Sequence, residues 1–214
     1  MPTFLLHPEW LDLTGPDGAI CHGADQDWFP DPWQRRAGCG PTTAALIFRY
    51  LARQRPEFSP LCPDLGTDWA PFTAHMCRVW NYVTPRSHGL NRPEYMVEGM
   101  AAYGEAVGVP LTPTLFSFPS ARTKRPGWEQ LRAFVAASLA CDCPVAFLNL
   151  DNGKIRQLDR WHWVTLIGLE GDTASIVDNG NAFTMDLNLW YATTKTRGGF
   201  VCALGTGEEF ASSC

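Results

Sequence analysis

The chain of 214 residues lacks any apolar run of about 18 residues, the length that a membrane-spanning helix needs. Its first residues, Met1 to Leu13, contain neither Lys nor Arg. His7, Pro8 and Glu9 interrupt them before the apolar core of an export signal could form. There is no Asn-x-Ser/Thr acceptor, no Cys-x-x-Cys pair, no internal repeat and no low-complexity tract. Positive charge is also scarce. Lys and Arg total 17 against 22 Asp and Glu, a net charge of −5, which argues against a general binder of nucleic acid or of anionic membrane surfaces. These absences predict a cytoplasmic protein with neither a nucleic-acid nor a membrane partner; they leave its oligomeric state open.

What is present is ordinary for a folded domain. Hydrophobic residues make up 45% and charged residues 18%, and the length suits one domain with a sizeable core. Nine tryptophans imply large buried surfaces or a groove walled with aromatics. Eight cysteines could in number form four disulfides, but without an export signal they read as mostly free, buried thiols. Cys141-x-Cys143 is too tight for a structural zinc site, and no metal or cofactor is expected.

Residues 1–32 mix Pro, Gly and Asp with scattered aromatics and show no clear period, so they read as an irregular arm ahead of a single domain over 33–214. Helical spacing of apolar residues predicts helices over 41–53, 69–83, 92–107 (with Asn91 as N-cap) and 128–140. Residues 111–125, rich in Thr, Pro and Ser, read as a strand-like excursion or an exposed loop. From Pro144 the pattern changes to short β-type runs at 144–150, 161–169, 173–177, 183–187 and 200–204, with a helical turn near 187–192. Helices first and antiparallel strands second make an α+β arrangement.

One stretch stands out for chemistry. Gly38-Cys39-Gly40-Pro41-Thr42 precedes an apolar helix, and Pro suits a helix's first turn. A cysteine at a helix N-terminus lies among unpaired N–H groups that favour a thiolate, and the flanking glycines leave room for a close approach to the sulfur. A nucleophilic cysteine needs a base, and the base needs a group to orient it. His162 opens the apolar run Trp161-His162-Trp163-Val164, and Asp178 ends the next run before Asn179-Gly180. The Glu170-Gly171-Asp172 turn makes those runs neighbours, so Asp178 could reach the imidazole. Taken singly, His162 reads as a hydrogen-bonded core histidine and Asp178 as a turn residue; the combination carries the signal. His7, His75 and His88 lack an apolar-strand setting and read as solvated or loop residues. The Arg122-x-Lys124-Arg125 cluster reads as a solvated loop that could also meet an acidic substrate. Of the tryptophans flanking His162, one is expected in the core and the other at the wall of a cleft.

The order Cys39, His162, Asp178, with Gly-Cys-Gly-Pro-Thr before a helix, Pro144-Val145 opening one strand, His162-Trp163-Val164 opening another and Val177-Asp178 ending a third, resembles the papain-like cysteine peptidases. Within them it is most similar to the branch that contains bacteriocin-leader peptidases and their stand-alone relatives, over about residues 33–187. The resemblance implies a papain-like α+β fold, with N-terminal helices packed on a C-terminal antiparallel sheet. It implies Cys39 as nucleophile, His162 as base and acid, and Asp178 as orienting group. It implies a peptide or amide as substrate, and an oxyanion held by the Cys39 N–H and a glutamine side chain. Such enzymes place that glutamine six residues before the cysteine, where this chain has Trp33; Gln34, five before, is the first choice and Gln26 the alternative. The same residues would serve an amidase or acyltransferase, and a catalytically silent binding module on this fold is a further alternative.

Overall fold

The structure, a computed structural model, describes residues 2–204. Two strands of a hairpin and one strand of the main sheet come from the N-terminal arm: β1 (Thr3–Phe4), β2 (Asp12–Thr14) and β3 (Ile20–His22). A short helix α1 (Pro32–Ala37) then leads into the central helix α2 (Cys39–Gln54), followed by α3 (Trp69–Trp80) and α4 (Pro93–Ala106). After β4 (Thr114–Phe118) and α5 (Trp128–Ala140) come β5 (Val145–Asn149), β6 (His162–Glu170), β7 (Thr173–Asp178), β8 (Asn181–Asp186), α6 (Leu187–Thr193) and β9 (Gly198–Cys202). The main sheet runs β4-β9-β5-β6-β7-β8, with β1 added to the far end of β6, and every ladder is antiparallel. This is the α+β architecture that the sequence predicts.

The core sits between α2 and the middle of the sheet. Every residue of α2 from Gly40 to Ala52 is buried, as suits a mostly apolar helix enclosed on every side. Strands β5 and β9 are likewise buried along their whole length, as expected of central strands covered on both faces. The last strand, β8, is mostly exposed, as an edge permits.

α2 also buries a cation. The Arg49 side chain donates to the backbone carbonyls of Trp10 (3.0 Å) and Gly66 (2.8 Å), and burial draws its pKa down to about 10. Tyr50 donates to Asp142 (2.5 Å), whose same oxygen accepts the Leu6 N–H (2.8 Å). These bonds tie the arm and the 61–66 loop to the central helix, a role for which periodicity gives no signal.

Several sequence expectations shift in detail. α1 was not predicted, although Asp31-Pro32 is a helix-start pair: the Asp31 carboxylate accepts the N–H groups of Trp33 and Gln34, and Pro32 follows it at the first position. The cap of α4 is Arg92 rather than Asn91. The 111–125 segment holds β4, paired with β9. Arg125 within it is a hub rather than a solvated cation, donating to the carbonyls of Pro119, Ser120, Tyr191, Thr194 and Thr196. His75 is not solvated but buried on α3. No helix among the described residues is long and apolar enough to cross a membrane.

Candidate active site

Cys39 is the first residue of α2, and the break between α1 and α2 is Gly38. The flanking glycines serve packing within the molecule. A Cβ on Gly38 would collide with the Gln34 carbonyl and the Phe29 ring, and one on Gly40 would stand 2.6 Å from Leu90. The space that the sequence leaves beside the cysteine is therefore filled by this chain's own Phe29 and Leu90, which hold the start of α2 against its neighbours.

His162 is the first residue of β6 and Asp178 the last of β7. The ladder sets Thr165 opposite Val177, so in continued register Asp178 faces Val164 and lies diagonal to His162 on the same side of the sheet. The turn after Asp178 has positive φ at Asn179 and Gly180, the backbone of a tight two-residue hairpin, and β8 returns beside it. At the other end of the pair, His162 stands opposite Asn149 of β5. Asn149 is fully buried: its amide donates to the Asp159 carbonyl (2.5 Å) and its oxygen accepts the Trp190 indole N–H (3.0 Å). That clamp fixes the 150–161 loop that delivers the chain to His162.

The ring of His162 is 7% exposed, and its Nε2 is 2.6 Å from the Asp178 carboxylate. The Cys39 sulfur stands within hydrogen-bonding reach of the same ring, for which the pairing at Nε2 leaves Nδ1. Burial by itself would lower the pKa of this imidazole. The hydrogen bonds from Asp178 and Cys39, and the charges behind them, outweigh it and raise the pKa to about 10. The arrangement can accept a proton from a thiol and hold it as an imidazolium braced by a carboxylate.

A cavity of about 350 Å³ opens over Cys39. Its walls include Leu90, Leu148, Trp161 and Trp163, and, from α1, Trp33 and Arg36. Trp163 is the core tryptophan, 2% exposed and donating its indole N–H to the Leu90 carbonyl (2.6 Å); Trp161, 57% exposed with a φ of 58°, stands at the mouth. Trp33 and Arg36 were not singled out in the sequence. Their spacing of three on a helix opened by Asp31-Pro32 is the signal that would have found them.

Neither glutamine lines this cavity. Gln34 follows Trp33 on α1, a turn of about 100° away from the face that carries Trp33, Arg36 and Ala37. Gln26 opens a short 3-10 turn, its amide donating to the Arg35 carbonyl (2.9 Å) while its oxygen is buried without a protein partner. The segment before it passes close to the site. Ala24 lines a small gap under Cys39 with Thr42, Thr165 and Asp178, and the Asp25 carboxylate feels the charges of Asp178 and His162, though burial is what chiefly raises its pKa. Among the described residues, no group of three or more His, Cys, Asp or Glu is placed to hold a metal ion.

No protein-family model matches the chain, and no curated protein does. Among solved structures, the chain is similar to the peptidase domain of Streptococcus ComA, a bifunctional ABC transporter involved in a quorum-sensing pathway. The identity is 13% over 78% of this chain and 92% of that one, with a TM-score of 0.38. It is also similar to a double-glycine-motif protease from an AMS/PCAT transporter, solved with its leader peptide. There the identity is 12% over 77% of this chain and 84% of that one, with a TM-score of 0.35.

Proposed function

We propose that the protein is a papain-like thiol hydrolase that cleaves a peptide or amide bond through a thioester on Cys39. The observation that carries this reading is the convergence of Cys39, which lines the cavity, with His162 and its partner Asp178. The Cys39 thiolate attacks the substrate carbonyl carbon while His162 holds the thiol proton. The carbon–nitrogen bond then breaks, and the amine leaves with that proton. Water, deprotonated by the same imidazole, attacks the thioester, releasing the acid and regenerating the thiol. Asp178 keeps the ring oriented and supports its positive form throughout.

The oxyanion of each tetrahedral intermediate would be met by the Cys39 N–H at the start of α2 and by a side-chain amide. Of the two candidates, Gln26 is the better supported, because Ala24 and Asp25 run beside Cys39 and Asp178 whereas Gln34 is turned off the cavity face of α1. An amidase or acyltransferase would use the same groups, the choice resting on which nucleophile the cleft admits.

The test is alkylation by iodoacetamide followed as a function of pH. At pH 6, labelling of Cys39 is expected to be at least about tenfold faster in the wild type than in His162→Ala, because the imidazolium stabilises the thiolate. Equal rates would overturn the reading. Cleavage of a peptide library by wild type against Cys39→Ala then separates a peptidase from the other acyl chemistries.

A further inference from the structure

The chain carries an excess of acidic residues, yet arginines outnumber carboxylates in and beside the cavity over Cys39. A second depression of about 350 Å³ lies next to the first, lined by Arg92, Glu94, Ser117 and Arg197 among others. Their linings are neighbours in the chain and the sheet. Asn91 lines one and Arg92, the next residue, lines the other; Leu148 lines the first and is paired across the sheet with Gly199, beside Gly198 of the second. At this point the backbone of β9 comes so close to α4 that a Cβ on Gly199 would stand 2.7 Å from Pro93. Among the described residues lining the two depressions stand Arg36, Arg92 and Arg197, against the single carboxylate of Glu94.

The two arginines of the outer depression are not committed to structure. Both are exposed; among the described residues, Arg92 meets only the Tyr95 ring, at 5.9 Å, and Arg197 makes no side-chain hydrogen bond or ion pair. Arg125 shows the contrast, with its guanidinium spent on five backbone carbonyls. A guanidinium presents a planar fork of donors that matches a carboxylate, and two of them facing one hollow outweigh the one acid there. The first depression, with Trp33, Trp161 and Leu148, takes an apolar side chain.

Resting on the thiol-hydrolase reading, we infer that the substrate is an acidic peptide: a segment with an apolar residue seated beside Cys39 and an Asp or Glu side chain bound by Arg92 and Arg197. The chain's overall negative charge would otherwise repel such a segment, so the local reversal of sign acts as a selector.

The experiment uses full-length Cys39→Ala protein, which binds without turnover, and reads peptide binding by the fluorescence of the exposed Trp33 and Trp161. The probes are capped, amidated peptides with one Leu or Phe and a Glu moved through the other positions, each compared with its Gln counterpart. At low salt at least one Glu peptide is expected to bind about tenfold tighter than its Gln partner. The preference should fall towards parity in high salt and in Arg92→Gln/Arg197→Gln, while the Gln peptides bind both proteins alike. A neutral peptide with a free C-terminus separates a side-chain carboxylate from a terminal one, and its preferential capture would overturn the assignment. Equal binding of Glu and Gln peptides, a preference that survives the double substitution, or no binding of any peptide would overturn it too. The hydrolase reading stands or falls separately on the His162-dependent labelling of Cys39.

Discussion

Two histidines are buried to a similar depth, and they are driven in opposite directions. His162, at the start of β6, has Asp178 on one side and Cys39 on the other, and its pKa is raised to about 10. His75, in the middle of α3, lies against the rings of Phe72 and Tyr103 with no carboxylate among the described residues beside it, and burial, which outweighs a weak interaction with the Ala45 backbone, lowers its pKa to about 4. Removal from water works against the charged form in both. What differs is whether the fold supplies a carboxylate and a thiol. Burial alone therefore does not decide how a histidine titrates; the groups packed against the ring do.

The largest way to break that contrast is to remove His162. His162→Ala should lower hydrolysis of a cleaved peptide by about a thousandfold or more, while His75→Phe should leave it within about twofold. If both substitutions cost the same, the two histidines would not differ in role.

Gln26→Ala should lower kcat by about a hundredfold with little change in KM, the size expected for losing one oxyanion donor, and Gln34→Ala should cost far less. The opposite order would return the role to Gln34.

The pH dependence of stability sharpens the same comparison, and its sign follows from the two shifts. His75 has a folded pKa below its unfolded value of about 6.5, so the folded state disfavours its protonation. Its contribution is present above about pH 6.5 and is lost as pH falls towards 4, by about 3 kcal/mol in all. His162 has a folded pKa above that value, so its contribution is complete below about pH 6.5 and is lost as pH rises towards 10. Urea denaturation of His75→Phe across pH 4 to 7 should show a shallower loss of stability on the acid side than the wild type. In His162→Ala the alkaline loss should be the one that flattens. Parallel curves for wild type and both variants would remove the basis of the contrast.

The smallest effect concerns the clasp of the N-terminal arm. Tyr50→Phe removes a hydrogen bond to the buried Asp142, which also holds Leu6, and should cost about 1 to 2 kcal/mol by thermal or urea unfolding without altering Cys39 labelling.

Much of the frame was legible in the sequence because its signals are local. α2, α3, α4 and α5 follow from apolar spacing, and β5 to β7 from short β-branched and aromatic runs between turns. Asp178 could be paired with His162 because a tight turn makes neighbours of consecutive strands. The two-residue β1, by contrast, has no period to read; it exists because β6 extends past the end of β5 and offers it a free edge at Gly168 and Leu169. β2 and β3 are similarly short and pair with each other, with one further bridge from Thr14 to Asp68.

By itself, then, the sequence determined where the longer helices and the central strands form, that a cysteine opens the central helix, and which His and Asp occupy adjacent strands. Tertiary structure decided the rest. It filled the space beside Gly38 and Gly40 with Phe29 and Leu90, sent Trp163 inward and Trp161 outward, and turned Gln34 away from the cavity while carrying the Gln26 segment past Cys39. It also gave one buried histidine a carboxylate and a thiol and left the other among aromatic rings. The physical reason is that propensity and periodicity act over a few neighbouring residues. A proton affinity and a cleft depend instead on groups brought together from distant parts of the chain, 39, 162 and 178 here, which no local pattern encodes.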